Sequence, residues 1–186
     1  MLTLNDRTAL LLIDIQDGLD EPRLGQRNNP QAEANMARLL AHWRAHARPI
    51  FYVQHMSVEP NSPLRPELPG NAIKRVVAPV SGEPVIQKSA SNAFVGTDLA
   101  QRLRDADIES VVVVGLTTEH CVSSSARMAS DLGYRTFVVA DASACHDRTG
   151  YDGVYYPADQ IHQLALIALQ DEFATIVETE AVISAG

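Results

Sequence analysis

Three reactive side chains stand out because each closes or follows a short apolar run. Asp14 ends Leu10-Leu11-Leu12-Ile13, and Lys88 ends Val85-Ile86-Gln87. Cys121 follows the run Val111-Val112-Val113-Val114-Gly115 by six residues. A carboxylate, an ammonium and a thiol have a joint chemistry. The carboxylate takes the thiol proton, the ammonium holds the carboxylate and stabilises the ionised set, and the sulfur attacks a carbonyl carbon. A free thiol has a pKa of about 8.5, and the first turn of a helix favours the thiolate through unpaired amides and partial positive charge. The amides at Thr117 and Cys121 could then face an oxyanion. Each residue also has a plainer reading. A cysteine after a strand can be a small buried hydrophobe, Asp14 a turn cap, and Lys88 a solvated charge with a buried stem. Two features weigh against those readings. All three residues fall at strand ends, and Asp14 stands between Ile13 and Ile15, where a charge so near a core needs a partner.

The elements that must position them alternate short β-branched runs with longer amphipathic ones, the signature of an α/β domain with a parallel sheet. Strands are expected over residues 8–14, 49–53, 85–88, 110–115, 134–140 and 174–177. One helix opens at Asn29-Pro30 and runs to about Ala47, with Met36, Leu39, Leu40 and Trp43 at helical spacing. A second, capped by Gly96-Thr97-Asp98, carries Leu99 and Leu103 and closes near Asp107. A third starts at Thr117 or Thr118, runs through Leu132 and stops at Gly133. A fourth spans 158–171, after a long loop over 141–157. The stretch 57–84 holds six of the ten prolines (Pro60, Pro63, Pro66, Pro69, Pro79 and Pro84) and predicts neither a long helix nor a central strand. A loop of that length is functional, an interaction surface or a loose insertion. In open parallel sheets ligands bind beyond the carboxyl ends of the strands, where Asp14, Lys88 and Cys121 all lie.

Composition bounds the rest. The chain has 186 residues, 46% hydrophobic and 20% charged, which predicts one globular domain over 1–186. Fifteen Lys and Arg against 23 Asp and Glu give a net charge of −8, the wrong sign for a nucleic-acid surface. The opening Met1-Leu2-Thr3-Leu4-Asn5-Asp6-Arg7 lacks the basic region and cleavage site of a secretory signal, and the apolar run 9–13 is too short to cross a bilayer. Cys121 and Cys145 alone make no disulfide framework, so a reducing cytoplasm is the expected setting.

The blocks in order are Leu11-Leu12-Ile13-Asp14-Ile15-Gln16-Asp17, Val85-Ile86-Gln87-Lys88-Ser89-Ala90-Ser91-Asn92-Ala93-Phe94, Gly115-Leu116-Thr117-Thr118-Glu119-His120-Cys121-Val122 and Gly133-Tyr134 with Val139-Ala140-Asp141-Ala142. Together they resemble the isochorismatase-like cysteine hydrolase superfamily, which includes nicotinamidases, N-carbamoylsarcosine amidases, ureidoacrylate and biuret amidohydrolases, and isochorismatases. The resemblance covers nearly the whole chain. It implies a three-layer α/β/α fold around a six-stranded parallel sheet in Rossmann-like order, with Asp14, Lys88 and Cys121 as a catalytic triad. It also implies a cis peptide ahead of Thr117 that turns the Thr117 and Cys121 amides toward the oxyanion. The implied reaction is cleavage of a C–N bond in a small amide, ureide or carbamoyl compound through a Cys121 thioester.

Departures from the pattern narrow that reading. Isochorismatases, which cleave a vinyl ether, usually lack the cysteine present here. Nicotinamidases carry Asp-x-His-x-x-x-His after the second strand; this chain has Gln54-His55-Met56-Ser57-Val58-Glu59-Pro60 there. One histidine falls short of a divalent site, so neither metal nor other cofactor is expected. Leu19 stands where family members often have Phe. Gln16, Leu19, His55, Phe94, Glu119 and His120 are the candidates for substrate contact, each with an alternative structural role. Tyr151, Tyr155 and Tyr156 could close over the site or pack at a subunit contact. The tract of Pro63, Pro66 and Pro69 resembles segments that reach between subunits, which makes a homo-oligomer the expectation. Two other readings stay open: a vinyl-ether hydrolase, and a non-catalytic relative that binds a small molecule.

Overall fold

A strand covered on both faces reads as a near-continuous apolar run, and the first strand does after its opening Thr8. In the computed structural model, which describes residues 4–186, all six residues of β1 (Thr8–Ile13) are buried. Met1 to Thr3, the start of the stretch read above for a secretory signal, lie outside the described residues. The chain continues through α1 (Ala32–Ala45), β2 (Ile50–His55), β3 (Val85–Lys88), α2 (Leu99–Asp105), β4 (Ser110–Leu116), α3 (Ser123–Asp131) and β5 (Arg135–Ala144). It closes with the two-residue strands β6 (Arg148–Thr149) and β7 (Tyr155–Tyr156), then α4 (Ala158–Ile167), β8 (Thr175–Val177) and α5 (Thr179–Ser184). Strands β3-β2-β1-β4-β5-β8 form one sheet in that order, every pairing parallel.

Alternate side chains of each strand feed two cores. Leu10, Leu12, Val112 and Val114 pack with Met36, Leu39 and Trp43 of α1 and Val182 of α5. Leu11, Ile13, Val111 and Val113 pack with Leu99 and Leu103 of α2, Ala126 and Ala129 of α3, and Leu166 of α4. The result is the expected three-layer arrangement. The chain runs outward from β1 to β3 and then returns to lay β4 on the other side of β1, so the strand order reverses between β1 and β4. A crevice at the carboxyl ends of two such strands is where open α/β sheets bind ligands. Gly115 of β4 sits against β1 at this point. A Cβ there would lie 2.1 Å from the Ile13 carbonyl oxygen, and its φ of 135° disfavours any side chain.

The structure corrects several boundaries. Strand β5 does not end at Ala140 but continues to Ala144, with a register shift against β4 between Val113 and Gly115. The polar Asp141 that suggested a loop is inside the strand, accepting hydrogen bonds from Asn35 and from Thr179. The expected helix from Thr117 begins instead as a wide π turn, Thr118–Val122, and becomes α-helical only at Ser123. Helix α4 stops at Ile167 rather than Asp171, and α5 was not foreseen. Asp98 makes no capping bond; it pairs with Arg102, while the Leu99 amide donates to Thr97 Oγ1.

The proline-rich stretch is not a loose insertion. Gly18 and Gly70 approach so closely that a Cβ on Gly70 would lie 2.9 Å from the Gly18 Cα. Asn71 donates to the Leu64 and His55 carbonyls, and Gln16 donates to the Asn71 carbonyl. Lys74, almost fully buried, bridges Asp20 and Glu33. Among the described residues no helix is long and apolar enough to cross a membrane.

Candidate active site

The sheet order explains which residue types can meet at its carboxyl edge. Asp14 leaves the end of β1 with a positive φ of 51°, a conformation Asp tolerates better than most residues, and its amide stays bonded to the Val53 carbonyl. Cys121 lies in the turn after β4, the direct neighbour of β1. Lys88 ends β3, two strands from β1, so it must span roughly 10 Å of strand spacing. Only a long side chain does so, and it crosses the end of β2, where His55 is its register partner.

The three expected residues come together. Lys88 Nζ, fully buried, donates to Asp14 Oδ2 at 2.6 Å, to the Ala90 carbonyl at 3.0 Å and to Cys121 Sγ at 3.4 Å. It also lies 3.1 Å from His55 Nδ1. An ammonium has three protons for these four neighbours, so it is a shared cation with no single fixed partner. Asp14 is buried as well, and its second oxygen, Oδ1, has no hydrogen-bond partner among the described residues. Asp14, His55 and Cys121 each place one oxygen, nitrogen or sulfur atom within 4.8 Å of the others. That set has the chemistry of a transition-metal site, but Lys88 Nζ is within contact distance of all three groups, so a cation already occupies it.

Burial dominates the electrostatics. It pushes the Asp14 carboxyl up to about 6 despite the opposing pull of Lys88. It pushes the Cys121 thiol up to about 12, helped by the Asp14 charge. His55 is driven down to about 4 by burial and by Lys88, which makes it a neutral imidazole at pH 7. The expectation of a thiolate favoured by a helix terminus is therefore corrected. The resting set near neutrality is thiol, carboxylate and ammonium, which carries no net charge into a dry interior.

Beside this group is a cavity of about 390 Å³ lined by Asp14, Leu19, His55, Thr117, His120 and Cys121 among others. Of the six expected substrate contacts, Leu19, His55 and His120 line it. Gln16, Phe94 and Glu119 do not. Gln16 is fully buried, bonded to the His55 amide and carbonyl and to the Asn71 carbonyl, so it fixes the ends of β1 and β2. Phe94 packs against the apolar core under α2 and α3. Glu119 turns to Arg148 at 2.9 Å. The Leu116–Thr117 peptide is cis, and Thr117 and Cys121 both line the cavity. Thr118 and His162 of α4 share a 2.8 Å hydrogen bond that anchors the turn.

Sequence reasoning missed five polar lining residues: Arg23, Ser62, Ser91, His146 and Arg148. His146, whose Nε2 lies 3.0 Å from the Leu19 carbonyl oxygen, stands two residues beyond the end of β5. The strand-end rule would have found it had β5 been read to Ala144. Cys145, next to it, donates its thiol to the Ala158 carbonyl and is fully buried. Tyr151 and Tyr155 are exposed on the β6–β7 hairpin and line no part of this cavity.

Comparison with known proteins gives the family and the fold. The isochorismatase domain family matches residues 8–181. The isochorismatase family protein YrdC of Bacillus subtilis is 39% identical over 181 residues, 97% of each chain. Streptothricin hydrolase of Streptomyces noursei is 30% identical over 179 residues, 94% of this chain and 69% of that protein. A crystal structure of an isochorismatase-family hydrolase from Chromobacterium violaceum superposes with a TM-score of 0.95 at 39% identity, covering 99% of this chain and 96% of that one. The chain belongs to the isochorismatase family of hydrolases.

Proposed function

We propose that this protein is a cysteine hydrolase that cleaves a C–N bond of a small amide, ureide or carbamoyl compound. The observation that carries the reading is the unequal use of Asp14. Its Oδ2 is held by Lys88, while Oδ1 is buried and unpartnered in the group that includes the Cys121 thiol. A buried carboxylate oxygen without a donor is costly unless it is kept for a proton.

The steps balance as follows. Asp14 takes the thiol proton as Cys121 Sγ bonds to the carbonyl carbon, so no free thiolate need form beforehand. The carbonyl oxygen becomes an oxyanion facing the Thr117 and Cys121 amides. Asp14 returns the proton to the departing nitrogen, which leaves as ammonia or an amine, and a thioester remains on Cys121. Asp14 then takes a proton from water as its oxygen attacks the thioester carbon. Collapse releases the acid and restores the thiol. Lys88 neither attacks nor transfers a proton; it holds Asp14 and offsets its charge whenever that charge returns.

The test is ammonia release from a panel of small amides, ureides and carbamoylated amino acids by wild-type and Cys121→Ala protein. Release by the wild type that falls at least about 10³-fold in the variant is expected. Ammonia release that survives loss of the sulfur would refute the assignment of Cys121 as the nucleophile.

A further inference from the structure

The charges around the active-site cavity are matched. Its formally charged lining residues are Asp14, Arg23 and Arg148, and they pair with Lys88, Glu21 and Glu119 respectively. Discrimination between ligands then falls to shape and to neutral hydrogen bonds, and His146 is a neutral group whose hydrogen-bonding role is fixed. It is only 5% exposed, and burial holds its pKa below the ordinary value, so the ring is neutral at pH 7. A neutral imidazole has one N–H and one lone pair. Nε2 lies 3.0 Å from the Leu19 carbonyl oxygen, which can only accept, so Nε2 carries the proton and Nδ1 the lone pair.

Nδ1 has no hydrogen-bond partner among the described residues, yet it is not sealed from solvent. The backbone on both sides of the ring is pinned. The Cys145 amide donates to Asn28 Oδ1 at 2.8 Å, the Asn28 amide to the Cys145 carbonyl at 3.2 Å, and the Asp147 amide to the Gln26 carbonyl at 2.9 Å. With its neighbours held and Nε2 tied to Leu19, the ring cannot exchange tautomer without giving up a bond. An acceptor is thus set in place before any ligand arrives, which lowers the cost of using it.

We infer that His146 determines specificity: its Nδ1 faces the cavity and accepts a hydrogen bond from an amide N–H of the substrate. The inference builds on the C–N hydrolase reading and names the side chain that tells an amide from an isostere without N–H. A site made to bond an N–H rejects the analogue that lacks it, because the acceptor is then left unpaired.

Binding tests this without turnover. In Cys121→Ala protein, which cannot form a thioester, ligand-observed NMR would compare the amides from propanamide to hexanamide with the methyl ketones of the same chains, CH3 replacing NH2. His146→Gln keeps an N–H for the Leu19 carbonyl but has no acceptor at the Nδ1 position. His146→Asn puts its side-chain oxygen there and loses the Leu19 bond. The ratio of amide to ketone affinity is expected to fall at least about threefold on adding His146→Gln and to stay within about twofold on adding His146→Asn. No measurable amide binding, an unchanged ratio in His146→Gln, or a fall in His146→Asn as large as in His146→Gln overturns the inference. If His146→Gln does not fold, His146→Asn decides: a retained preference supports the acceptor, and a lost one at an unchanged melting temperature overturns it. Ammonia release separates the two readings. Release by the wild type, with a ratio indifferent to His146, keeps the hydrolase and removes this acceptor. A ratio that depends on His146, with no release from any amide, keeps the acceptor and removes the hydrolase reading.

Discussion

Two ionic clusters inside this protein use the same chemistry to opposite ends. Arg27, Lys74, Asp20 and Glu33 tie the turn after β1 and the proline-rich stretch to α1. Glu33 accepts from Arg27 at 2.6 and 2.7 Å and from Lys74 at 2.5 Å, so both its oxygens are used. Burial pushes its pKa up, but the Arg27 and Lys74 hydrogen bonds outweigh that and hold it below the ordinary value. Asp14 is more deeply buried, has one oxygen bonded and one idle, and its pKa is raised to about 6. Using both oxygens builds a fastening; leaving one idle on a carboxylate grouped with a thiol builds a base.

Removing charges from each cluster should separate the two roles, and the largest effect falls on chemistry. Cys121→Ala should abolish turnover, with a loss of at least about 10³-fold, while the melting temperature stays near that of the wild type. Asp14→Asn should lose turnover on a similar scale and also weaken the fold. It strands the buried Lys88 ammonium, a change of about 3–5 kcal/mol by urea denaturation. Adding Lys88→Met to that variant should restore stability without restoring turnover, because the stranded charge has gone but the base has not returned.

Lys74→Met should do the reverse. Stability is expected to fall by about 1–3 kcal/mol, since Glu33 keeps Arg27, while kcat on any substrate found stays within a few-fold. A large loss of kcat with unchanged stability would erase the contrast.

The pH dependences of the clusters should also have opposite signs. Glu33, with its folded pKa lowered, contributes stability above the unfolded carboxyl pKa and loses it as pH falls through the folded value. The stability lost in Glu33→Gln should therefore be larger at pH 7 than at pH 4. Asp14, raised to about 6, favours the folded state below the unfolded pKa and stops doing so as pH rises toward 6. As the base it should give kcat/KM an acid limb near pH 6 that Glu33→Gln leaves in place.

The contrast also shows what the amino-acid order reveals. Asp14, Lys88 and Cys121 were legible because each breaks or ends an apolar run, and strand ends in a parallel sheet share one edge. The strand order that makes Lys88 reach across His55 follows from tertiary pairing, which no local pattern encodes. Gln16 and Glu119 sit beside reactive residues in sequence, yet both side chains serve neighbouring groups, Gln16 the backbone of β2 and Glu119 the guanidinium of Arg148. Arg148 was hidden for another reason. The extra residues of β5 around Asp141 read as a loop, so the strand end that places His146 and Arg148 at the cavity was set four residues early.

The central claim is that one proton passes between the Cys121 sulfur and Asp14, and alkylation of the thiol reads it most directly. The rate of iodoacetamide labelling at Cys121, followed by intact-protein mass, should rise with a single ionisation near pH 6 in the wild type. In Asp14→Asn/Lys88→Met, which removes the base and the cation beside the sulfur together, it should stay slow until well above pH 9, as expected of a buried thiol with neither. A labelling rate in Asp14→Asn/Lys88→Met that matches the wild type between pH 6 and 8 would contradict the account.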